Sequence, residues 1–271
     1  MKEKHTAIVL AAGSGKRMHS QVQKQYMDLF GKPVLYYALR QFEECEFIDE
    51  VILVTKKDEI AYCREQIVEV YHLQKVKDII EGGEERYLSV YNALKAAGAC
   101  DYIYIHDGAR PFVDQEMLQR LKEAVCTYGA CVAAVPSKDT LKLADEALFA
   151  KETLKRSEVW NIQTPQVFAY PDILGAYEKM MQEDHTKMGI TDDAMVLEKM
   201  EGQKVKLVEG SYYNIKITTP EDLDIAEIFV KSVIYRKIEK NKKISKKVLT
   251  KRKLDDIISF ADCTGEVSKW S

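Results

Sequence analysis

The sequence predicts a doubly wound α/β protein with a mostly parallel β-sheet. Short β-rich runs alternate with longer segments of helical periodicity. Each β-rich run is almost continuously apolar, as expected when helices cover both faces of a sheet. The alternation of strand and helix predicts βαβ units, whose strands lie parallel. We therefore expect a Rossmann-like sheet between two layers of helices.

The first half of the chain contains five strand patterns and four helix patterns. The predicted strands are Ala7–Leu10, Val51–Thr55, Lys77–Ile80, Tyr102–His106 and Cys131–Val135. The predicted helices are Pro33–Glu44, Asp58–Tyr71, Glu85–Ala97 and Gln115–Tyr128. This order is typical of consecutive βαβ units.

The regular alternation of strand and helix patterns stops after Pro136. Residues 137–160 mix β-forming and charged residues on both sides of a turn-like stretch, Ala144–Glu146, and predict a protruding hairpin. A two-stranded hairpin is marginally stable alone, so an exposed one suits an arm for dimerisation.

The parallel pattern then resumes. The predicted elements are helices Pro171–Glu183 and Asp192–Met200, strands Lys204–Val208 and Asn214–Ile217, and a helix from Pro220 capped by Thr218 or Thr219. Residues 231–271 carry 12 Lys/Arg against 5 Asp/Glu, whereas the remainder carries 28 against 38. We expect a domain over residues 1–230 and a basic C-terminal extension over 231–271.

Composition excludes several classes of protein. No run of about 18 apolar residues is present, so no segment is expected to span a membrane. The six cysteines form no C-x-x-C pair and no zinc spacing, which favours reduced thiols in a cytoplasmic protein. The acidic body argues against nucleic-acid binding, although a contact between the basic extension and RNA or anionic lipid stays open.

A glycine-containing loop follows the first predicted strand. Small residues let backbone N–H groups surround phosphate oxygens. The loop residues expected to bind a nucleotide are Ala11, Ala12, Gly13, Ser14 and Gly15. A P-loop would need Gly in place of Leu10 and Ser or Thr in place of Arg17, and a dinucleotide fingerprint would need Gly or Ala in place of Met18. Neither motif is present.

Two cations, Arg17 and Lys24, accompany this loop. They can neutralise a triphosphate and the charge that develops at phosphorus in a transition state. The alternative is a tight strand-to-helix turn with solvated basic side chains. Glycine turns of this kind are common, so the loop alone favours function only weakly.

Asp107 follows the strand predicted at Tyr102–His106. A carboxylate at the C-terminal end of a strand lies where open α/β sheets bind ligands. Its oxygens can hold Mg²⁺, which usually shares its ligands with substrate phosphates. The alternative is an ion pair with Arg110 that only fixes a turn. His106 is expected to be a packed core residue.

These motifs together resemble a known family. The run Ala11–Met18, then Lys24-Gln25-Tyr26 and Gly31–Leu35, is similar to the signature of nucleotidyltransferases and, more narrowly, of the 2-C-methyl-D-erythritol 4-phosphate cytidylyltransferase family of non-mevalonate isoprenoid synthesis. The resemblance covers residues 6 to about 230. It implies that Arg17 and Lys24 stabilise the pentacovalent phosphorus and that Lys216 contacts the α-phosphate.

The resemblance also implies two binding regions. Gly83 and Ser89 would read cytosine, and Asp107 and Gly108 would complete the CTP site. Leu88 stands where the family has a small or acidic residue, and Gly108 where it has Ala. The residues implied for the methylerythritol phosphate are Arg110, Thr140, Arg156, Thr164 and Thr191. The arm of residues 137–160 would exchange across a homodimer.

Thr191 has a second interpretation. It precedes Asp192 and Asp193 at a predicted helix start, where it would serve as the N-cap with two acidic residues in the first turn.

The predicted function is transfer of CMP from CTP to 2-C-methyl-D-erythritol 4-phosphate with Mg²⁺ as cofactor and release of pyrophosphate. One alternative is a ribitol-5-phosphate cytidylyltransferase of similar fold. Another is a non-catalytic CTP-binding module, which should lack one of the cations or the carboxylate; Arg17, Lys24, Asp107 and Lys216 are all present.

Overall fold

A computed structural model describes residues 2–13, 18 and 22–245, with side chains as far as residue 232. The strands are β1 (His5–Leu10), β2 (Asp28–Leu29), β3 (Lys32–Pro33), β4 (Glu50–Thr55), β5 (Val76–Glu81), β6 (Tyr102–Asp107), β7 (Ala130–Pro136), β8 (Lys142–Ala144), β9 (Ala150–Thr153), β10 (Trp160–Ala169) and β11 (Lys206–Glu209). The helices are α1 (Val34–Glu44), α2 (Ile60–Tyr62, continued by a π-helix, Cys63–Glu69), α3 (Arg86–Ala96), α4 (Gln115–Tyr128), α5 (Tyr170–Met181), α6 (Asp193–Glu201) and α7 (Pro220–Ser245).

The main sheet confirms the predicted parallel architecture. Its seven strands lie in the order β11-β7-β10-β6-β1-β4-β5. β1 pairs in parallel with both β4 and β6, and the β4–β5 and β7–β11 pairs are also parallel. β10 is antiparallel to both of its neighbours.

Hydrophobic cores lie on both faces of this sheet. One contains β1 residues Ala7 and Val9 and packs against α1, α4 and the π-helix; the other contains Ile8 and packs against α3, α5 and α6. Because neighbouring residues of a strand point to opposite faces, both faces need apolar side chains. This explains the continuous apolar runs of the inner strands.

Two strand predictions differ from the structure. No strand was predicted over Trp160–Ala169, yet β10 occupies the middle of the sheet. Its buried polar residues and Pro165 lie in a register shift between Ile162 and Gln166, where the pairing is interrupted. The predicted strand Asn214–Ile217 is wrong. Its backbone bonds to turns instead, with the N–H of Ile217 donating to the carbonyl of Ala109 (2.9 Å).

The hairpin predicted within residues 137–160 is formed by β8 and β9. Asp145 accepts a hydrogen bond from the N–H of Phe149 (2.8 Å) and closes the loop. Every residue of both strands is exposed. Leu148 and Phe149 at the tip are 86% and 72% exposed. The hairpin therefore presents apolar side chains to solvent.

The chain divides into two compact units, residues 1–226 and 227–271. All the site residues discussed below belong to the first. Of the second, the structure describes the helical backbone as far as Ser245. Among the described residues, no helix combines the length and apolar composition needed to cross a membrane.

Acidification is expected to lower the free energy of unfolding through buried His5. Its side chain is 2% exposed, and its Nδ1 lies 3.1 Å from the hydroxyl of Tyr104. Burial, and then Lys122, lower its pKa from the ordinary 6.5. The unfolded chain therefore binds this proton at a higher pH than the folded chain, so stability is lost as the pH falls below about 6.5.

Urea unfolding at pH 7.5 and 5.5 measures this effect. The drop in stability between the two pH values should be smaller in His5→Gln than in the wild type. His72, which is exposed, provides the matched control as His72→Asn. Equal drops in the wild type and His5→Gln would contradict the prediction.

Candidate functional site

The site lies at the switch point of the sheet. The chain passes from β1 to β4 on one side, and later from β5 to β6 on the other side of β1. In such sheets a crevice opens at the C-terminal ends of the strands. The predicted nucleotide-binding loop after β1 and the predicted Asp107–Gly108 segment meet at this crevice. The N–H of Gly108 donates to the carbonyl of Leu10 (2.8 Å), the residue just before Ala11.

The loop after β1 is held from one side by Gln25. The amide nitrogen of this buried side chain donates to the carbonyls of Ala11 (2.5 Å) and Gly13 (3.2 Å), and the N–H of Ala11 donates to Val54 (2.7 Å). Ala12 and Gly13 continue the loop. The other predicted loop residues, Ser14, Gly15 and Arg17, lie outside the described residues. Gln25 occurred in the sequence only as part of a motif, with no assigned role.

Lys24 begins a short 3₁₀ turn, Lys24–Tyr26, beside this loop. The Tyr26 hydroxyl bonds to Thr55 (2.7 Å) and Glu59 (2.9 Å), and Gln23 bonds to Glu59 as well. Neighbours on both sides thus fix the backbone that carries Lys24. The backbone of this predicted catalytic residue therefore lies next to the loop that Gln25 holds.

Gly82 and Gly83 follow β5 and reach the first loop. The N–H of Gly83 donates to the Ser89 hydroxyl (3.0 Å), which is buried. Ser89 therefore shapes the turn that presents Gly83. A Cβ on Gly82 would lie 2.6 Å from the Cβ of Ala12 and 2.8 Å from the Ser89 oxygen. Gly82, which precedes the predicted base-reading residue Gly83, therefore joins the two loops through its contacts.

If these loops bind CTP as the sequence predicts, Gly82→Ala is expected to raise the KM for CTP roughly tenfold. The added methyl group must displace Ala12 or Ser89, and overpacking of this kind costs about 1–3 kcal/mol. Steady-state kinetics with varied CTP measures the effect. The control is Gly175→Ala, in α5, where nothing lies within 4 Å of an added Cβ; it should raise stability by about 0.5–1 kcal/mol. An unchanged KM for Gly82→Ala would rule out this contact as a determinant of CTP binding.

Asp107 lies at the end of β6, where three cations of the described residues approach it. Lys216 Nζ is 2.7 Å from its Oδ2, Arg110 Nε is 3.8 Å from the same oxygen, and Arg86 Nε is 3.4 Å from Oδ1. Burial alone would raise the pKa of Asp107, but Arg86, Lys216 and Arg110 hold it well below its usual range. The Asp107–Arg110 pair exists, but it is one part of a larger cluster.

Arg86 connects this cluster to α6. Its two terminal nitrogens donate to the carboxylate of Asp193 at 2.9 and 2.8 Å, and Tyr177 donates to the same carboxylate (2.7 Å). Asp193 and Tyr177 are fully buried. Burial opposes the charge of Arg86, but Asp193 and Asp107 raise its pKa well above the ordinary value. No local sequence pattern indicates this pair, because its members are 107 positions apart.

The loop that carries Thr191 is anchored by its neighbours. Asp192, and not Thr191, caps α6: its Oδ1 accepts from the N–H of Met195 (3.0 Å), so the N-cap prediction is wrong by one residue. Gln166 donates to Asp192 (2.9 Å) and accepts from the first N–H groups of the helix. Thr191 is exposed beside a small cavity that Arg86 and Tyr87 also line.

Thr164 and Arg110 also contact Asp107, Thr164 at its backbone and Arg110 at its carboxylate. The Thr164 hydroxyl accepts from the N–H of Asp107 (3.0 Å). Arg110 donates to the carbonyl of Asn214 (2.8 Å), and the Asn214 amide donates to the carbonyl of Thr164 (2.8 Å). Asn214 therefore joins the segment that carries Lys216 to the two predicted substrate residues.

Thr140 and Arg156 lie on the exposed arm. Arg156 donates to the carbonyl of Lys138 (3.5 Å), within the arm itself. Among the described contacts, neither residue bonds to a member of the Asp107 cluster. The other predicted site residues within the described part of the chain lie around the switch point.

The chain matches a family model over residues 5–232, described as 2-C-methyl-D-erythritol 4-phosphate cytidylyltransferase. A protein of that name from Lachnospira eligens is 52% identical over 227 residues, which are 84% of this chain and 99% of the relative. Another from Clostridium novyi is 44% identical over 230 residues, 85% of this chain and 98% of the relative.

Solved structures agree with these matches. The crystal structure of a 4-diphosphocytidyl-2C-methyl-D-erythritol synthase from Anaerococcus prevotii superposes with a TM-score of 0.74 at 35% identity, covering 85% of this chain and 97% of that one. The cytidylyltransferase structure from Francisella tularensis gives 0.69 at 29% identity, covering 83% and 98%.

Proposed function

Because the chain belongs to the 2-C-methyl-D-erythritol 4-phosphate cytidylyltransferase family, we propose that it transfers CMP from CTP to 2-C-methyl-D-erythritol 4-phosphate and releases pyrophosphate. The observation that carries the proposal is the Asp107 cluster, which gathers Arg86, Arg110 and Lys216 at the switch point beside the loop after β1. These charges suit a substrate that is itself highly charged.

The chemistry is direct displacement at the α-phosphorus. The triphosphate of CTP lies along the loop after β1, and a phosphate oxygen of the second substrate attacks in line as pyrophosphate leaves. A phosphate monoester is a nucleophile near neutral pH, so no dedicated general base is required. Positioning and neutralisation of charge provide the rate enhancement.

The proposal divides the main predicted residues into three groups. Lys24 and Lys216, together with Arg17, neutralise the negative charge that builds at phosphorus. The backbone of Ala11–Gly13 and the Gly82–Gly83 turn surround CTP, with Ser89 fixing that turn through Gly83. Arg110, Thr164 and Thr191 bind the methylerythritol phosphate.

We also propose that the carboxylate of Asp107 binds a divalent cation, Mg²⁺. Its Oδ1 meets Arg86 at 3.4 Å, whereas Lys216 approaches Oδ2 at 2.7 Å, so Oδ1 is the less engaged oxygen. Among the described residues, no group of three or more His, Cys, Asp or Glu could hold a metal. One carboxylate suits Mg²⁺, which takes its other ligands from substrate phosphates and water. When bound, the ion neutralises phosphate charge.

We also propose that residues 1–230 form the catalytic domain, that residues 231–271 form a basic extension, and that the protein acts in the cytoplasm. The described cysteines are free thiols, which fits a reducing compartment.

A pyrophosphate-release assay tests the activity. Purified protein is incubated with CTP, Mg²⁺ and either methylerythritol 4-phosphate or ribitol 5-phosphate. Faster release with methylerythritol phosphate supports the proposal. Faster release with ribitol phosphate would make the protein a ribitol-5-phosphate cytidylyltransferase, and CTP binding without turnover would make it a binding module.

We further propose that the arm completes the site of a second copy in a homodimer. Thr140 and Arg156 would then bind substrate in the partner subunit. The exposed Leu148 and Phe149 at the tip of the arm support the proposal, because apolar side chains of this size favour burial against a partner.

Serine at both tip positions, Leu148→Ser with Phe149→Ser, is expected to shift the protein from dimer to monomer and to lower turnover at least tenfold. Each side chain loses roughly 2 kcal/mol of burial, and 1.4 kcal/mol is tenfold in affinity. Sedimentation velocity measures the mass. Val70→Ser removes an exposed apolar side chain elsewhere and is the control. A variant that remains dimeric would show that the tip does not hold the interface.

A further inference from the structure

His106 lies at the centre of a hydrogen-bond chain that the proposed reaction does not use directly. The side chain is fully buried, and its ring packs edge-on against Phe42 with centroids 5.4 Å apart. Its Nε2 lies 3.0 Å from the carbonyl of Arg110, and its Nδ1 lies 3.0 Å from the hydroxyl of Thr164. The same hydroxyl is 3.0 Å from the N–H of Asp107.

The partners decide where the protons lie. A backbone carbonyl only accepts, so Nε2 must carry the proton that it shares with Arg110. A second proton on Nδ1 would create a buried imidazolium next to the cation cluster, where charge is costly. Nδ1 is therefore an acceptor, and the Thr164 hydroxyl donates to it. The hydroxyl oxygen then has a lone pair directed at the N–H of Asp107.

These bonds also fix the turn that follows. The N–H of Arg110 donates to the carbonyl of Asp107 (2.9 Å), while the carbonyl of Arg110 accepts from His106. The peptide groups on both sides of Arg110 are thus held. The guanidinium of Arg110 and the carboxylate of Asp107 project from this turn.

We propose that His106, as the neutral Nε2–H tautomer, is a positioning residue that orients the Thr164 hydroxyl toward its own Nδ1 and so fixes Asp107 and Arg110 for phosphoryl transfer. The kinetic consequence rests on the proposed function. The tautomer does not, since it follows from the hydrogen-bond partners of the ring and from its burial.

The first experiment is the ¹⁵N spectrum of the imidazole nitrogens in the wild-type protein at pH 7. The His106 signals are assigned by their loss in His106→Gln. We expect a pyrrole-type Nε2 and a pyridine-type, hydrogen-bonded Nδ1. The opposite tautomer, or an imidazolium, would overturn the proposal whether or not the protein has cytidylyltransferase activity.

The second experiment compares Thr164→Val with Thr164→Ser. Valine keeps the volume but removes the hydroxyl, whereas serine keeps it. Supporting groups behind a reacting centre typically contribute 10- to 100-fold. We expect kcat to fall by about that factor in Thr164→Val, with less than a threefold change in the KM for CTP, and serine to recover most of the loss. In Thr164→Val the Nδ1 signal should also move toward that of a free pyridine-type nitrogen.

Thr6→Val is the matched control, because Thr6 is a buried threonine of the same sheet whose hydroxyl bonds to Glu50 (3.0 Å). It should lower the urea midpoint without lowering kcat. If Thr164→Val and Thr164→Ser have equal kcat, or if Thr6→Val loses as much turnover as Thr164→Val, His106 and Thr164 are only structural and the proposal is wrong.

Discussion

Lys216→Met is expected to lower kcat by roughly 10²- to 10³-fold, the loss typical of removing one group that stabilises charge in a transition state. Within the described part of the chain, Lys216 is the closest cation to Asp107. Its side chain is 35% exposed, so it faces both the carboxylate and the open crevice. Methionine keeps most of the side-chain length but loses the ammonium group.

The stability of Lys216→Met should change by less than about 1 kcal/mol. Asp107 keeps Arg86 and Arg110 as partners after the substitution. An ion pair with a partly exposed lysine typically contributes little to folding. The expected result is therefore a large loss of turnover in a protein that unfolds almost as the wild type does.

Pyrophosphate release and urea unfolding measure the two quantities on the same preparations. Lys206→Met is the control, since Lys206 is an exposed lysine of β11 that faces the ring of Tyr128. It should behave as the wild type in both assays. If Lys216→Met keeps more than half of the wild-type kcat, the assignment of Lys216 to the reacting phosphate is wrong.

The sequence was sufficient to predict the elements whose apolar patterns are continuous. α4 begins and ends where predicted, because Asp114 caps its start and Gly129 adopts the left-handed conformation at its end. β1, β4, β6 and β7 were found from their apolar runs. β10 was not found, since Gln163, Thr164 and Gln166 are buried polar residues whose partners lie elsewhere in the chain.

In the site, too, residues within local motifs were predicted, whereas residues that depend on distant partners were missed. The positions of Asp107, Ala12 and Gly83 follow from local motifs at the ends of strands. Arg86 was missed because its role depends on Asp193, on a distant helix. Gln25 was missed because an amide that holds backbone carbonyls has no sequence signature of its own.

The buried ion pair between Arg86 and Asp193 is expected to contribute strongly to folding, and its two single variants should be unequal. Asp193 is inaccessible to solvent, whereas the Arg86 side chain is 30% exposed and also reaches Asp107. Breaking a buried pair typically costs about 3–5 kcal/mol, because one charge remains without its partner.

Arg86→Met should therefore lower the free energy of unfolding more than Asp193→Asn. In Arg86→Met the Tyr177 hydroxyl is the one hydrogen-bond donor that the described side chains leave to the carboxylate of Asp193, which is inaccessible to solvent. In Asp193→Asn the guanidinium can turn toward Asp107 and water. We expect a loss near the upper end of that range for the first variant and near or below the lower end for the second.

Urea unfolding at pH 7 of both single variants and the double variant forms a thermodynamic cycle. Once Asp193→Asn is present, adding Arg86→Met should cost at least about 2 kcal/mol less than it does in the wild type, since directly paired residues are coupled. Lys179 and Glu201 form an exposed pair at 2.7 Å and provide the matched cycle, in which coupling should stay below about 1 kcal/mol. Additive losses at Arg86 and Asp193 would show that the two charges do not stabilise each other. A larger loss of stability in Asp193→Asn than in Arg86→Met would show that solvent access does not decide which unpaired charge costs more.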